Sequence, residues 1–162
     1  MKPAPPNRTS ADGDIDFSRI SALVVDDTPK SRELLSEVLR GLGAAKIDKA
    51  ASGEAAMGFL RAGGVGIVFA DIKASTQDGL DFIRKVRGSP DAAIAGVVVV
   101  MVSAQPTAER VMEAGVSGAN SFLSKPYSVS ALVRCVKEGF ANRASSQDEN
   151  RPKGPEPWII DA

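Results

Sequence analysis

Four polar sites, each following an apolar strand-like run, carry the residues best suited to chemistry in this sequence. They are Asp26 and Asp27 after LVV, Asp71 after IVFA, Ser103 after VVVVMV, and Lys125 with Pro126 shortly after the apolar pair FL. Ligands of open parallel α/β sheets bind in the crevice at the carboxyl ends of the strands, so these groups can converge on one pocket. Carboxylates, a hydroxyl and an ammonium together predict a site for a divalent cation and a phosphate.

The residue types narrow this chemistry further. Clustered carboxylates repel one another unless a cation or a proton offsets the charge. The chain has no histidine, and oxygen ligands alone select a hard cation, which indicates Mg²⁺. Asp71 beside such a cation could attack a phosphoryl group and form an aspartyl phosphate, with Lys125 and Ser103 nearby to stabilise the spread charge. Taken alone, an Asp-Asp pair before a helix would equally fit a helix cap.

The elements that must position these residues alternate between β-rich runs and helical periodicities. The predicted strands span 22–25, 46–50, 67–70, 97–102 and 121–123, and a helix follows each of them. This alternation predicts an α/β fold of the (βα)5 type, a doubly wound parallel sheet in the flavodoxin-like order 2-1-3-4-5. The first and third strands are then neighbours, which brings Asp26, Asp27 and Asp71 to one place.

The spacing of apolar residues predicts the buried side of each helix. The expected buried residues are Leu34, Leu35, Val38, Leu39 and Leu42 in the first helix (29–41), Ala56, Phe59 and Leu60 in the second, Leu80, Ile83 and Val86 in the third, Val111, Met112 and Val116 in the fourth (107–117), and Val129, Leu132, Val133, Val136 and Phe140 in the last. The few anchors of the fourth helix predict weak packing. The lysine-flanked strand 46–50 suits a sheet edge, strand 97–102 suits the interior, and a loop is expected from Asp71 to Gly79.

Composition indicates one globular domain between two extensions. Residues 1–20 and 142–162 are rich in proline and polar residues, which predicts a disordered N-terminal extension, a domain over 21–141 and a flexible tail. The apolar end of the tail, Trp158-Ile159-Ile160, is expected to dock on the protein itself, a partner or a neighbouring subunit. Basic and acidic residues number 20 each, so no charge excess favours nucleic acid. Without a secretion signal or membrane-length apolar run, and with one cysteine, Cys135, the chain is expected to be cytoplasmic.

These motifs together resemble the receiver domain of bacterial two-component response regulators, the family of the chemotaxis regulator. The resemblance covers about 120 residues and agrees with single-domain members of the family that carry no output domain. It rests on VVDD at 24–27, Asp71, Asp78-Gly79, Ser103-Ala104, Phe122 and Lys125-Pro126. Several spaced motifs agree, which makes a chance match improbable.

The resemblance implies roles for the acidic residues. Asp71 would accept a phosphoryl group from a phosphohistidine on a histidine kinase or a histidine phosphotransfer protein. Asp26, Asp27, Asp71 and the backbone carbonyl of Lys73 would hold Mg²⁺. The protein would be no enzyme beyond catalysing its own phosphorylation and autodephosphorylation.

The resemblance also implies roles for the other strand-end residues. Ser103 and Lys125 would bond the phosphoryl oxygens, Phe122 would turn inward on activation, and the Lys125–Pro126 peptide bond would be cis. The face formed by the fourth helix, fifth strand and last helix would then bind a downstream protein or form a homodimer. No direct contact with nucleic acid or membrane is expected.

Two other functions fit the same residues. The main alternative is an interaction module of this fold that does not depend on phosphorylation. A less favoured hypothesis is a phosphohydrolase with an aspartate nucleophile. Lys73 stands where such an enzyme would carry its second aspartate, and no substrate cap is evident.

The loop after Asp71 departs from the family pattern. It has the sequence D-I-K-A-S-T-Q-D-G, with Ser75 where the family carries proline. Lys73 brings an ammonium within two residues of the acceptor. It either points to solvent or pairs with Asp26 or the phosphoryl group, where it would weaken Mg²⁺ binding in the free state and slow hydrolysis of the aspartyl phosphate.

The second possibility predicts that Lys73→Ala shortens the lifetime of the aspartyl phosphate. Removing the ammonium takes away a charge that would stabilise the phosphorylated state. The lifetime is measured by the loss of radiolabelled phosphate from the purified protein, with Lys46→Ala on the predicted edge strand as control. An unchanged lifetime would contradict the hypothesis.

Overall fold

Five parallel strands with helices on both faces form the fold. The computed structural model describes residues 15–71, 76–104 and 107–146. The strands are β1 (Ser21–Asp26), β2 (Lys46–Ala50), β3 (Ile67–Asp71), β4 (Val98–Ser103) and β5 (Ser121–Ser124). The helices are α1 (Pro29–Gly41), α2 (Gly53–Ala62), α3 (Thr76–Arg87), α4 (Ala92–Ala95), α5 (Ala108–Ser117) and α6 (Val129–Ser146). Within these ranges, no helix is long and apolar enough to cross a membrane.

The predicted strand order is confirmed. The sheet runs β2-β1-β3-β4-β5, with every neighbouring pair parallel. The lysine-flanked β2 lies at an edge, and the apolar β4 lies between β3 and β5, as expected. Pro29 begins α1, and Ser52 caps α2 by accepting a hydrogen bond from the Ala55 N–H at 3.1 Å.

Alternation along each strand divides the core into two layers. Leu23 and Val25 of β1 face α2, α3, α4 and α5, while Ala22 and Val24 face α1 and α6. The same alternation holds along the fully buried β3. Because both faces of the sheet are covered, polar chemistry is left to the strand ends.

The predicted buried faces of α1 and α2 need correction. Leu34 is 61% exposed, whereas its neighbour Leu35 is buried with Leu39. The buried side of α1 is formed by Leu35, Ser36 and Leu39, which leaves Leu34 beyond its edge and turned to solvent. In α2, Met57 is buried and Phe59 only partly buried.

The predicted anchors of α5 are also largely wrong. Val111 is buried, but Met112 is 57% and Val116 72% exposed. Ala114, three residues after Val111, completes the buried side instead. Since this side is set by Val111 and Ala114, Met112 and Val116 are turned toward solvent.

The buried stripe of α6 begins one turn later than predicted. Val129 is exposed, while Leu132, Val136 and Phe140 are buried. The first turn of α6 precedes the part of the helix that packs on β4 and β5. Cys135 is buried as expected, and burial raises the pKa of its thiol to about 11, which makes it unreactive.

Local structure between β3 and β4 differs from the prediction. α3 begins at Thr76, so the loop expected to reach Gly79 is shorter and Gly79 lies inside the helix. A glycine in the first helical turns lowers the helical propensity of the sequence without preventing a helix. The short α4 was not predicted because four residues are too few for a periodic pattern.

Both predicted domain boundaries fall inside structured segments. Phe17 and Ile20 are buried against the layer of α1 and α6, so the structured part starts before residue 21. At the other end α6 continues past residue 141. Residues 1–14 and 147–162, including Trp158-Ile159-Ile160, lie outside the described residues.

A single arginine connects the elements at the amino ends of β4 and β5. Arg87, the last residue of α3, is largely buried. Its guanidinium donates to the carbonyl oxygens of Gly118, Ala95 and Val97 and to Asn120 Oδ1, at 2.6–2.9 Å. The rigid fork of an arginine suits such convergent acceptors.

Gly118 is required by this arrangement. Its φ of +118° disfavours other residues, and a Cβ there would lie 2.6 Å from Arg87 Cγ. Glycine therefore ends α5 and admits the arginine at the same point.

Arg87→Ala should lower the free energy of unfolding by about 3 kcal/mol, because several buried acceptors would lose their donor. Arg87→Lys should restore only part of the loss. Urea unfolding measures the change. The control is Arg84→Ala one turn earlier, which removes an exposed ion pair with Asp81 and should change stability by less than about 0.5 kcal/mol. Equal stability of the Arg87 and Arg84 variants would contradict this role.

Candidate functional site

Two buried carboxylates meet at the carboxyl ends of β1 and β3. Asp26 and Asp71 are directly paired in the parallel register, and they are 3% and 4% exposed. Each is the last residue of its strand, so the register that pairs the apolar residues also pairs the acids. Two ionised carboxylates this close, removed from water, repel each other strongly.

The ammonium of Lys125 offsets this repulsion. Lys125 Nζ contacts Asp71 Oδ2 and lies 3.9 Å from Asp26 Oδ2. Its backbone N–H donates to the Ser103 carbonyl at 2.8 Å, and its peptide bond with Pro126 is cis. The loop after β5 is thus held to the end of β4, with the lysine side chain extending to the acids.

The loop after β1 holds Asp26 by both backbone and side chain. The Thr28 N–H donates to Asp26 Oδ1 at 2.9 Å, and Arg32 Nη1 donates to the Asp26 carbonyl at 2.8 Å. Asp27, in contrast, is exposed and accepts from Thr28 Oγ1 at 3.4 Å. The two adjacent aspartates therefore occupy different environments.

The charges of this pocket shift two pKa values. Burial raises the pKa of Asp71, and the neighbouring Asp26 raises it further, while the hydrogen bond and charge of Lys125 act in the opposite direction. Tyr127 is half-buried, and its pKa is raised by burial and by the charges of Asp71 and Asp26. Ionisation of Asp71 is therefore less favourable in the free pocket than in water.

The carboxylates of the pocket are the candidate ligands for the expected Mg²⁺. Among the described residues, no three acidic, histidine or cysteine side chains are grouped so as to hold a metal. The buried pair Asp26 and Asp71 nevertheless fits Mg²⁺, which is commonly bound through one or two carboxylates together with waters and phosphate oxygens. The predicted contributions of Asp27 and of the Lys73 carbonyl stay predictions, and Lys73 lies outside the described residues.

Ser103 and Phe122 lie on the neighbouring strands β4 and β5. Ser103 ends β4 beside Lys125 and is half-buried. Phe122 of β5 is buried in the core layer that also contains Val111 and Ala114 of α5. The structure therefore brings Asp26, Asp71, Ser103 and Lys125 to one end of the sheet.

Three residues around the pocket could not be predicted from the sequence. Ser31 Oγ accepts a hydrogen bond from Lys125 Nζ, and Arg32 donates one to the Asp26 carbonyl. The charges of the two acids contribute to the raised pKa of Tyr127. The only available signal was the position of Ser31 and Arg32 in the helix turn after the aspartates. That position alone does not distinguish a site residue from an ordinary helix residue.

Comparisons with known proteins identify relatives of this chain. The family model described as "Response regulator receiver domain" matches residues 22–137. "Probable chemotaxis protein CheY" of Rhizobium etli is 31% identical over 75% of this chain and 93% of its own length. The chemotaxis protein CheY of Pseudomonas aeruginosa is 28% identical over 73% and 94%. The solved structure of CheY4 of Vibrio cholerae has a TM-score of 0.65 at 22% identity, covering 74% of this chain and 98% of that one, and shows the likeness of fold.

Lys125→Ala should raise the pKa of Asp71 further, because the main opposing charge is removed. The pKa of Asp71 is already raised in the folded protein, so its contribution to stability is full at acid pH and is lost as pH rises through that pKa. The variant should therefore lose more stability than the parent protein as the pH rises from about pH 4, the ordinary pKa of an aspartate.

Carbon-13 NMR of the carboxyl groups measures the pKa, and urea unfolding measures stability as the pH rises. Lys85→Ala on the exposed side of α3 is the control. Adding Asp71→Asn to Lys125→Ala should abolish the extra pH dependence. A pKa of Asp71 that stays the same in Lys125→Ala would refute the charge balance described above.

Proposed function

The chain belongs to the response regulator receiver domain family, and on this premise we propose that it is a switch in two-component signalling, controlled by phosphorylation of Asp71. One observation carries the proposal. A buried carboxylate ends an interior strand, with a second carboxylate in register beside it and a lysine ammonium in contact with it. A carboxylate buried in this way serves no packing purpose and is costly to keep.

The residues of the pocket suit phosphoryl transfer. An oxygen of Asp71 attacks the phosphorus of a partner phosphohistidine, an O–P bond forms as the N–P bond breaks, and the imidazole nitrogen leaves and takes up a proton. The partner, a histidine kinase or a histidine phosphotransfer protein, supplies the imidazole because this chain has no histidine. Lys125 and Ser103 would stabilise the charge on the transferring oxygens.

Asp71 must be ionised to act as the nucleophile. Asp26 and burial oppose ionisation, whereas Lys125 favours it. Asp26, Asp27, Asp71 and the Lys73 carbonyl would hold Mg²⁺, which when bound neutralises acidic charge and binds phosphoryl oxygens. Loss of the phosphoryl group to water would return the protein to its free state, so the only reaction catalysed is on the protein itself.

The output would pass through α5. Phe122 is buried in the same core layer as Val111 and Ala114 of α5, and the opposite side of this helix exposes Met112 and Val116. A partner acts as a reader only if it binds the two states with different affinity. The face formed by α5, β5 and α6 is the proposed surface for a downstream protein or a second copy of the chain.

Asp71→Asn should abolish incorporation of radiolabelled phosphate from acetyl phosphate in the presence of Mg²⁺. The reason is that the amide is a poor nucleophile in a pocket of nearly unchanged shape. The control is Asp81→Asn on the exposed side of α3, which should be labelled normally. Label retained in Asp71→Asn would assign the phosphoacceptor to another residue.

Beryllofluoride with Mg²⁺ tests for a conformational change of the protein without transfer of a phosphoryl group. Amide NMR shifts spreading from Asp71 to Ser103, Phe122 and α5 are expected. Absence of any response would favour the phosphorylation-independent module. Steady turnover of a small phosphate ester would favour the phosphohydrolase.

A further inference from the structure

The Lys125 ammonium has a second partner on a distant part of the chain. Lys125 Nζ donates to Ser31 Oγ at 2.6 Å, across 94 positions of sequence. Ser31 lies half-buried in the first turn of α1, and the lysine side chain is 24% exposed. The contact therefore joins α1 directly to the loop after β5.

A lysine needs such a contact to keep one position. Its ammonium is a compact charge on a flexible four-carbon stem, so it does not orient itself as an arginine fork does. It has three N–H donors. Ser31 Oγ accepts from it, Asp71 Oδ2 forms an ion pair with it, and Asp26 Oδ2 lies 3.9 Å away. A neutral hydroxyl fixes the direction of the ammonium without drawing its charge away from the acids.

The first turn of α1 has a matching contact on the other side of the pocket. Arg32, the residue after Ser31, donates to the Asp26 carbonyl at 2.8 Å. Consecutive residues of α1 thus hold the lysine and the backbone of the second acid. One helical turn therefore contacts both the ammonium and the backbone of Asp26.

We propose that Ser31 is a positioning residue, which holds the Lys125 ammonium against Asp71 in the free protein. Its effect on the rate of phosphoryl transfer rests on the proposed function. A cation already in place when phosphoryl oxygens arrive costs no reorganisation during the reaction. Ser31 itself touches neither the phosphoryl donor nor the acceptor oxygen.

The first test observes the ammonium directly. In proton–nitrogen NMR of the side-chain NH₃⁺ groups, Lys125 should give a slowly exchanging, motionally restricted signal in the full chain. Ser31→Ala should remove this restriction, and Ser31→Thr, which keeps a hydroxyl, should restore it. The matched control is Ser36→Ala in the same helix, because Ser36 is buried and its hydroxyl donates to the Arg32 carbonyl at 2.8 Å.

The second test measures phosphorylation by acetyl phosphate with Mg²⁺. Ser31→Ala should lower the maximal rate by about threefold to tenfold, the effect of losing one hydrogen bond of ordinary strength. The acetyl phosphate concentration at half-maximal rate should not change. Ser31→Thr should recover the rate, and urea unfolding shows whether each variant remains folded.

The two tests separate this inference from the proposed function. An equally restricted Lys125 signal in Ser31→Ala, or failure of Ser31→Thr to restore it, would overturn the inference. If the parent protein takes up no phosphoryl group while Ser31→Ala still frees the ammonium, the proposed function fails and the positioning role stands. A slower Ser36→Ala would also overturn it, by showing that any hydroxyl lost from α1 has the same effect.

Discussion

The register of β1 and β3 is the constraint on which the site depends. Parallel pairing places Asp26 directly beside Asp71, and coverage of both sheet faces keeps water away from them. Two carboxylates in this position cannot both be ionised cheaply, so the pocket requires positive charge. In the free protein Lys125 supplies it. A divalent cation in the pocket would relieve the same repulsion, which the fold enforces.

The topology could be predicted because it follows from the alternation of strand-like runs and helical periodicities, which is visible in the sequence. Five apolar runs separated by helical periodicities admit few arrangements once right-handed crossovers are required. The wrong predictions of buried helix residues include cases in which two apolar residues are adjacent in sequence and only one of them is buried. Leu34 and Met112 lie next to residues that are buried, and only the packed structure decides which of each pair turns outward. The short α4 depends on the Asp91 cap, which accepts from the Ala93 N–H at 2.9 Å, and on its contact with the core rather than on a periodic pattern.

The site was predictable to the extent that it consists of strand ends. Asp26, Asp71 and Lys125 each follow an apolar strand, so the sheet order alone brings them together. Ser31 could not be found in this way, because its contact with Lys125 depends on where the first turn of α1 lies relative to the loop after β5. A cluster of three carboxylates was expected, but Asp27 is exposed, and the lysine ammonium takes the central place beside the buried pair.

The two ends of the sheet have opposite physical character, and α5 spans both. At the amino ends of β4 and β5, Arg87 donates hydrogen bonds to four acceptors. One of them is the carbonyl of Gly118 just after α5, so these hydrogen bonds hold that end of the helix. At the carboxyl ends, the pocket is held by a balance of charges that one added phosphoryl group would change. Between them, α5 contributes Val111 and Ala114 to the same core layer as Phe122, and it packs mainly on α3. Met112 and Val116 are exposed on the same helix, so a shift of α5 would change a surface that a partner could contact.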